Sequence, residues 1–96
     1  MNRDEVLATL RAHEAELKDA GIVRLSVFGS VARGETGNDV DLLATFDEAH
    51  RLSLFDVVGL EQRLEDLLGA DVDLVQEGTL KDGMRQRIEQ EAARSF

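Results

Sequence analysis

The sequence predicts a small α+β domain, a mixed β-sheet flanked by α-helices. Three observations carry that expectation. Residues 22–28 and 39–46 alternate apolar and polar side chains with the period of a strand, and 71–75 repeats the pattern. Between and around them lie segments with apolar residues at helical spacing, bounded by capping and stop residues. The 96 residues contain no proline, repeat or low-complexity tract, so a single domain over 1–96 is expected.

Residues 3–20 read as a helix. Asn2 can cap it, with Glu5 three positions on to complete a capping box. Val6, Leu7, Leu10 and Leu17 fall on one broad face, and Gly21 stands where a left-handed cap is expected. The strand at 22–28 turns Val23, Leu25 and Val27 inward. Gly29-Ser30 ends it, Val31 to Arg33 start a short helix, and 34–38 is a loop rich in turn formers. In the strand at 39–46, Val40, Leu42, Ala44 and Phe46 share a wholly apolar face, while Asp39, Asp41, Leu43 and Thr45 share the other. A polar connection at 47–52 follows. Ser53 with Asp56 then starts a helix through about Leu68, with apolar residues Leu54, Val57, Val58, Leu60, Leu64, Leu67 and Leu68, and Gly69 stops it. Residues 71–75, Asp-Val-Asp-Leu-Val, form a third strand. Thr79, with Asp82 three on, caps a last helix to about Arg94, with Leu80, Met84, Ile88 and Ala92 spaced by four. Three strands make a small sheet, with at least one edge exposed or covered by another chain.

Composition narrows the function classes. There is no cysteine, which excludes disulfides and thiolate metal sites, and His13 and His50 are too isolated in sequence for a zinc site. No apolar run approaches the roughly 20 residues of a membrane span, and no signal-peptide pattern opens the chain, so a cytoplasmic protein without a membrane partner is expected. The net charge of −9 argues against direct binding to nucleic acid, and equally suits a basic protein partner or simple solubility. With no tryptophan or tyrosine and four phenylalanines, platforms for stacking bases are thin.

The stretch from Ser26 to Phe46 carries the chemistry. Asp39 and Asp41 are two apart on a strand, so both project to one side and can chelate a shared cation. Read blandly, they are a turn residue and an exposed strand position. Gly29-Ser30 follows a strand, where glycine lets the backbone approach a phosphate and the serine hydroxyl can bond its oxygens. Arg33 lies one turn on, where a guanidinium can clamp phosphate or remain a solvated loop charge. Asp73 lies opposite the apolar face of Val72 and Leu74, and joins the pair if its strand neighbours the second. Converging carboxylates repel one another unless a cation neutralises them. Lys81 and Arg85 could also face phosphate, or serve as ordinary surface charges.

These residues resemble the minimal nucleotidyltransferases of the DNA polymerase β superfamily, the MNT type. The family's signature is a hydrophobic strand ending in Gly-Ser, a helix start and loop, then Asp-x-Asp-Leu, with a third aspartate on a later strand. Here Gly29, Ser30, Asp39, Asp41 and Asp73 match it, and Ala32 to Gly34 and Val72 to Val75 also look like the family. The likeness covers essentially the whole chain. One departure is that eight residues separate Ser30 from Asp39, fewer than is familiar in this group, and loop 34–38 lacks the usual proline and serine.

The resemblance implies a polymerase β-like nucleotidyltransferase fold. It also implies transfer of a nucleoside monophosphate from a triphosphate to a hydroxyl, with two magnesium ions and ATP as substrate. Asp39, Asp41 and Asp73 would be metal-binding and catalytic, and Gly29, Ser30 and Arg33 nucleotide-binding. It further implies an antitoxin acting on a tyrosine of a HEPN-domain ribonuclease toxin encoded nearby. The connection at 47–52 and the open sheet edge are candidate docking surfaces. Three alternatives stand beside it: a silent antitoxin of the same fold that neutralises its toxin by binding alone, an enzyme acting on a small molecule such as an aminoglycoside, and an acidic domain without a site.

Overall fold

The computed structural model describes residues 2–35 and 39–96. The expected loop at 34–38 therefore lies largely outside the described residues. The element order is α1 (Arg3–Ala12), α2 (Glu14–Asp19), β1 (Ile22–Phe28), α3 (Gly29–Ala32), β2 (Asp39–Phe46), α4 (Leu54–Leu68), β3 (Asp71–Gln76), α5 (Asp82–Glu91) and β4 (Ala93–Arg94), with 3₁₀ turns at Glu48–His50 and Glu77–Thr79.

One mixed sheet runs β3-β2-β1-β4. β2 is antiparallel to β1 and parallel to β3, and β1 is antiparallel to β4. The hydrophobic pattern sets this register, because a one-residue slip would turn every buried side chain outward. Leu25 and Val27 pair with Ala44 and Leu42, which continue through Val40 to Val72 and Leu74. All of these are buried, and Val6, Leu10, Leu17, Leu60, Leu64 and Leu68 from the helices pack on them in one core. Helices α1, α2 and α4 thus cover one face of the sheet. α5 contacts β1 and α3, and shares with the middle of β1 and β2, on the face away from the core, a cleft of about 250 Å³ lined by Arg24, Ser26, Leu43, Glu77, Glu89, Ala92 and Arg94.

Local chemistry explains the boundaries. Asn2 Oδ1 accepts from the Glu5 N–H at 2.8 Å, starting α1. The Ser53–Asp56 capping box is formed in both directions, at 3.2 and 2.9 Å, and Gly69 closes α4 with φ +64°. No helix of the described residues is long and apolar enough to cross a membrane.

Several expectations need correction. The helix expected over 3–20 is two helices, parted at His13, whose N–H returns to the Leu10 carbonyl at 3.1 Å. Val23 is 50% exposed, because a bulge sets Ile22 against Phe46 but Arg24 against Thr45, so Ile22 takes the inward place. Thr79 does not cap the last helix; its hydroxyl donates to the Gln76 carbonyl at 2.8 Å within a 3₁₀ turn, and the helix begins at Asp82 after Lys81. That helix stops at Glu91, and the chain extends into a fourth strand. Ser95 anchors the end, its Oγ donating to the Leu25 carbonyl at 2.8 Å and its N–H to the same oxygen at 2.9 Å. Met84 is 55% exposed.

Candidate active site

The polar face of the sheet is built in rows. Asp39 lies opposite Asp71, and Asp41 lies between Asp73 on β3 and Phe28 on β1. Adjacent strands are about 4.8 Å apart and residues two apart along a strand about 6.7 Å, so four carboxylates share one end of this face. The parallel β2–β3 pairing is what brings Asp73 beside Asp41. Asp41 is half-buried, while Asp39, Asp71 and Asp73 are exposed.

The Gly-Ser turn meets the same spot. Gly29 follows Phe28 and has φ +74°. A Cβ on it would collide with Asp41 Oδ2 and lie 3.1 Å from Asp41 Cγ. Glycine is therefore required twice over, by its left-handed backbone and by the carboxylate occupying the side-chain position. Ser30 sits in the first turn of α3, half-buried, next to this contact.

The electrostatics follow from the crowding. Burial, then the charges of Asp73 and Asp39, push the Asp41 carboxyl above its ordinary range, and Arg33 opposes them. Arg33 is exposed at the end of α3. It donates to Glu35 at 3.0 Å and to Glu91 at 3.3 Å, and these carboxylates hold its guanidinium firmly charged. Its field reaches Asp41, while its hydrogen bonds run to α5 and the loop.

Among the described residues, no set of three or more carboxylate or imidazole side chains is gathered into a ready cage for a metal ion. The three sequence-picked aspartates are neighbours on one face rather than a closed ligand sphere. All-oxygen donors in an open arrangement suit magnesium, which takes one or two carboxylates and completes its shell with water and substrate phosphate.

Other candidates lie elsewhere. Arg85 pairs with Asp82 at 2.7 Å and lines a cleft of about 290 Å³ with Arg24, Thr45 and Glu77, at the opposite end of the strands from Asp41. Lys81 is an exposed residue before α5. His50 ties the 48–50 turn to the end of α2, with Nε2 3.2 Å from the Asp19 carbonyl and Nδ1 3.5 Å from the Asp47 carboxylate. His13 marks the α1–α2 break. A cleft of about 330 Å³ at the far end of β2, lined by Phe46, Asp47, Arg51 and Leu52 among others, is likewise remote from the carboxylates. Sequence reasoning missed Asp71 and Phe28. A signal for Asp71 was present: the tetrapeptide Asp-Val-Asp-Leu occurs at both 39–42 and 71–74, and in parallel register the two copies align residue for residue.

Residues 10–95 match the family model described as a nucleotidyltransferase domain. The chain belongs to that family. The nucleotidyltransferase is 41% identical over 88 residues to a protein adenylyltransferase, MntA, of Thermococcus cleftensis, a match covering 88% of this chain and 87% of the relative. Its fold superposes with TM-score 0.81 on a solved structure assigned as a minimal nucleotidyltransferase, at 39% identity over 97% of this chain and 95% of the other. It also resembles a chain from a Shewanella oneidensis complex of a tri-AMPylated HEPN toxin with an MNT antitoxin, with TM-score 0.67 and 19% identity, covering 94% of this chain and 71% of that one. The last likeness concerns the fold alone. The expectation of an α+β minimal nucleotidyltransferase fold is met, with four strands in place of three.

Proposed function

We propose that this nucleotidyltransferase is a magnesium-dependent antitoxin that transfers AMP from ATP to a tyrosine hydroxyl of a HEPN-domain ribonuclease toxin. The observation that carries the reading is the contact between the Asp41 carboxylate and Gly29, with Asp73 and Asp39 beside it. It joins a turn able to approach phosphate to a carboxylate group able to hold a cation. The curated relative named a protein adenylyltransferase supports the donor and the reaction class. The tri-AMPylated HEPN complex supports the partner.

In this reading Asp39 and Asp41 would hold both of two magnesium ions, Asp73 would join them at the catalytic one, and Gly29 and Ser30 would seat the terminal phosphates. Bound magnesium would neutralise the triphosphate and lower the cost of ionising the acceptor hydroxyl. The acceptor oxygen attacks the α-phosphorus. The bond from that phosphorus to the bridging oxygen breaks, and pyrophosphate leaves. Asp73, exposed at the rim, helps accept the hydroxyl proton. Arg33 biases the site toward phosphate through its charge. These 96 residues contain no tyrosine, so in this reading the acceptor tyrosine lies outside them. The cytoplasm is the compartment that suits such a pair.

The test mixes the protein with ATP, magnesium and the HEPN-domain chain encoded nearby. Intact mass of the toxin should rise in AMP steps with wild type and stay fixed with Asp41→Asn. A tight complex with no added mass in either case would assign the chain to the silent-antitoxin reading instead.

A further inference from the structure

Helix α4 carries more apolar surface than its packing uses. Leu60, Leu64 and Leu68 are buried in the core, yet Leu54 is 77% exposed, Phe55 88% and Val58 47%. At 100° per residue, Phe55 points nearly opposite the buried stripe, and Leu54 and Val58 lie on the shoulder between. One exposed leucine is ordinary. Three adjoining apolar side chains in the first turns of one helix, including a nearly bare phenylalanine, form a patch of the kind found at interaction sites.

Two further features point to a helix as the occupant, and to its charge. Gly59 is exposed inside the same helix, and the space its Cβ would fill is open to 4 Å. Glycine here costs about 1 kcal/mol relative to alanine, and neither a turn nor a close internal contact calls for it. A second helix crossing at short range would call for it, because interaxial distance is set by the side chains at the crossing. Beyond Gly59 the helix carries an excess of acids, of which Asp66 is exposed, Glu61 is partly buried, and Glu65 is partly buried and accepts from the Val72 N–H at 3.2 Å. α4 carries Asp56, Glu61, Glu65 and Asp66 against Arg63 alone, and Glu16 holds Arg63 through bonds of 2.8 and 3.0 Å.

We propose that the face formed by Leu54, Phe55, Val58 and Gly59 docks an amphipathic helix of a basic partner chain. The helix sets apolar side chains on Phe55 and lysines or arginines toward Asp66, the exposed acid of this face. A second copy of this chain fits poorly. It brings the same −9 charge. Identifying the partner as the HEPN-domain toxin rests on the function proposed above.

The experiment titrates the full chain with three probes: the HEPN-domain chain, a synthetic Lys/Leu amphipathic helix and its Glu/Leu counterpart. Wild type is compared with the double variant Phe55→Ser/Val58→Ser and with Met84→Ser, an exposed apolar control on α5. The double variant should lose about tenfold or more in affinity for the toxin and the Lys/Leu helix. Met84→Ser should not, and all three should melt alike. AMP transfer by the double variant should fall through KM for the toxin, with kcat kept. Equal toxin binding by wild type and double variant overturns the proposal. So does preference for the Glu/Leu helix, a free-chain dimer that the double variant abolishes, or binding of no probe. Patch-dependent binding of the Lys/Leu helix without toxin binding keeps the docking face and removes the toxin as its occupant.

Discussion

The two faces of the central sheet come from the same residues in alternation, and they solve opposite problems. On one face Leu25, Val27, Val40, Leu42, Ala44, Val72 and Leu74 are sealed beneath helices. On the other, Asp39, Asp41, Asp71 and Asp73 are held near one another despite mutual repulsion. The first face lowers the free energy of the fold. The second raises it, most at Asp41, where burial and like charge both disfavour the ionised form. A face that costs stability and lies beside a glycine turn is the more informative about function, because packing alone gives no reason for it.

The largest effect expected on this division is on activity. Asp41→Asn should reduce AMP transfer by about 10³-fold or more, the scale of losing a principal electrostatic contributor at a reacting centre. Its melting temperature should equal or exceed that of wild type, since a repelled carboxylate is replaced by a neutral amide. Chelating divalent cations should abolish transfer and leave the metal-free melt in place. An Asp41→Asn protein that melts well below wild type would show that the aspartate supports the fold, and the division between faces would fail.

The mirror experiment is Leu42→Ala, one residue along the same strand. Leu42 is fully buried, so the loss should be about 2–5 kcal/mol of unfolding free energy, read from denaturant titration. At a temperature where the variant is folded, kcat should stay close to wild type.

Gly29, the first residue after β1, ties the backbone of the fold to the carboxylate end of the polar face. Gly29→Ala meets a backbone at φ +74° and the Asp41 carboxylate. It should cost about 1–2 kcal/mol in stability and also lower AMP transfer, because Asp41 must move to admit the methyl group. A crystal structure of the variant with Asp41 unmoved and full activity would separate the turn from the carboxylates.

The sequence made the sheet and the carboxylate end legible because both rest on local period. β1 and β2 fall on the expected residues, as do the Ser53–Asp56 box and the Gly69 stop. What stayed hidden is set by tertiary contact. Ala93 and Arg94 leave a helical pattern to pair with β1. The bulge beside Val23 reverses which side chain turns inward, and no propensity in Ile22-Val23-Arg24 announces it. In α4 the apolar positions outnumber the places on one buried stripe, and only packing shows that Leu54 and Val58 are left over. Asp39 and Asp41 could be paired from spacing alone, whereas Asp73 needed the strand order.

The smallest expected effect tests whether the polar face is uniform along its length. Thr45 lies two rows from Asp41, and its hydroxyl donates to the Glu77 carboxylate. That bond is the main cause holding the Glu77 carboxyl below its ordinary value of 4.5; burial opposes it, and Glu89, Arg24 and Arg85 reinforce it. Thr45→Val should cost about 1 kcal/mol at neutral pH and leave AMP transfer unchanged. A depressed carboxyl contributes stability that is present above its unfolded pKa and lost as pH falls through its folded value. The stability gap between wild type and Thr45→Val should therefore be widest at neutral pH and close in acid, below about pH 4.5. A gap constant with pH would mean that the hydroxyl stabilises the strand by other contacts. A marked fall in transfer would extend the reacting region beyond the aspartate end, toward the cleft of Arg24 and Arg85.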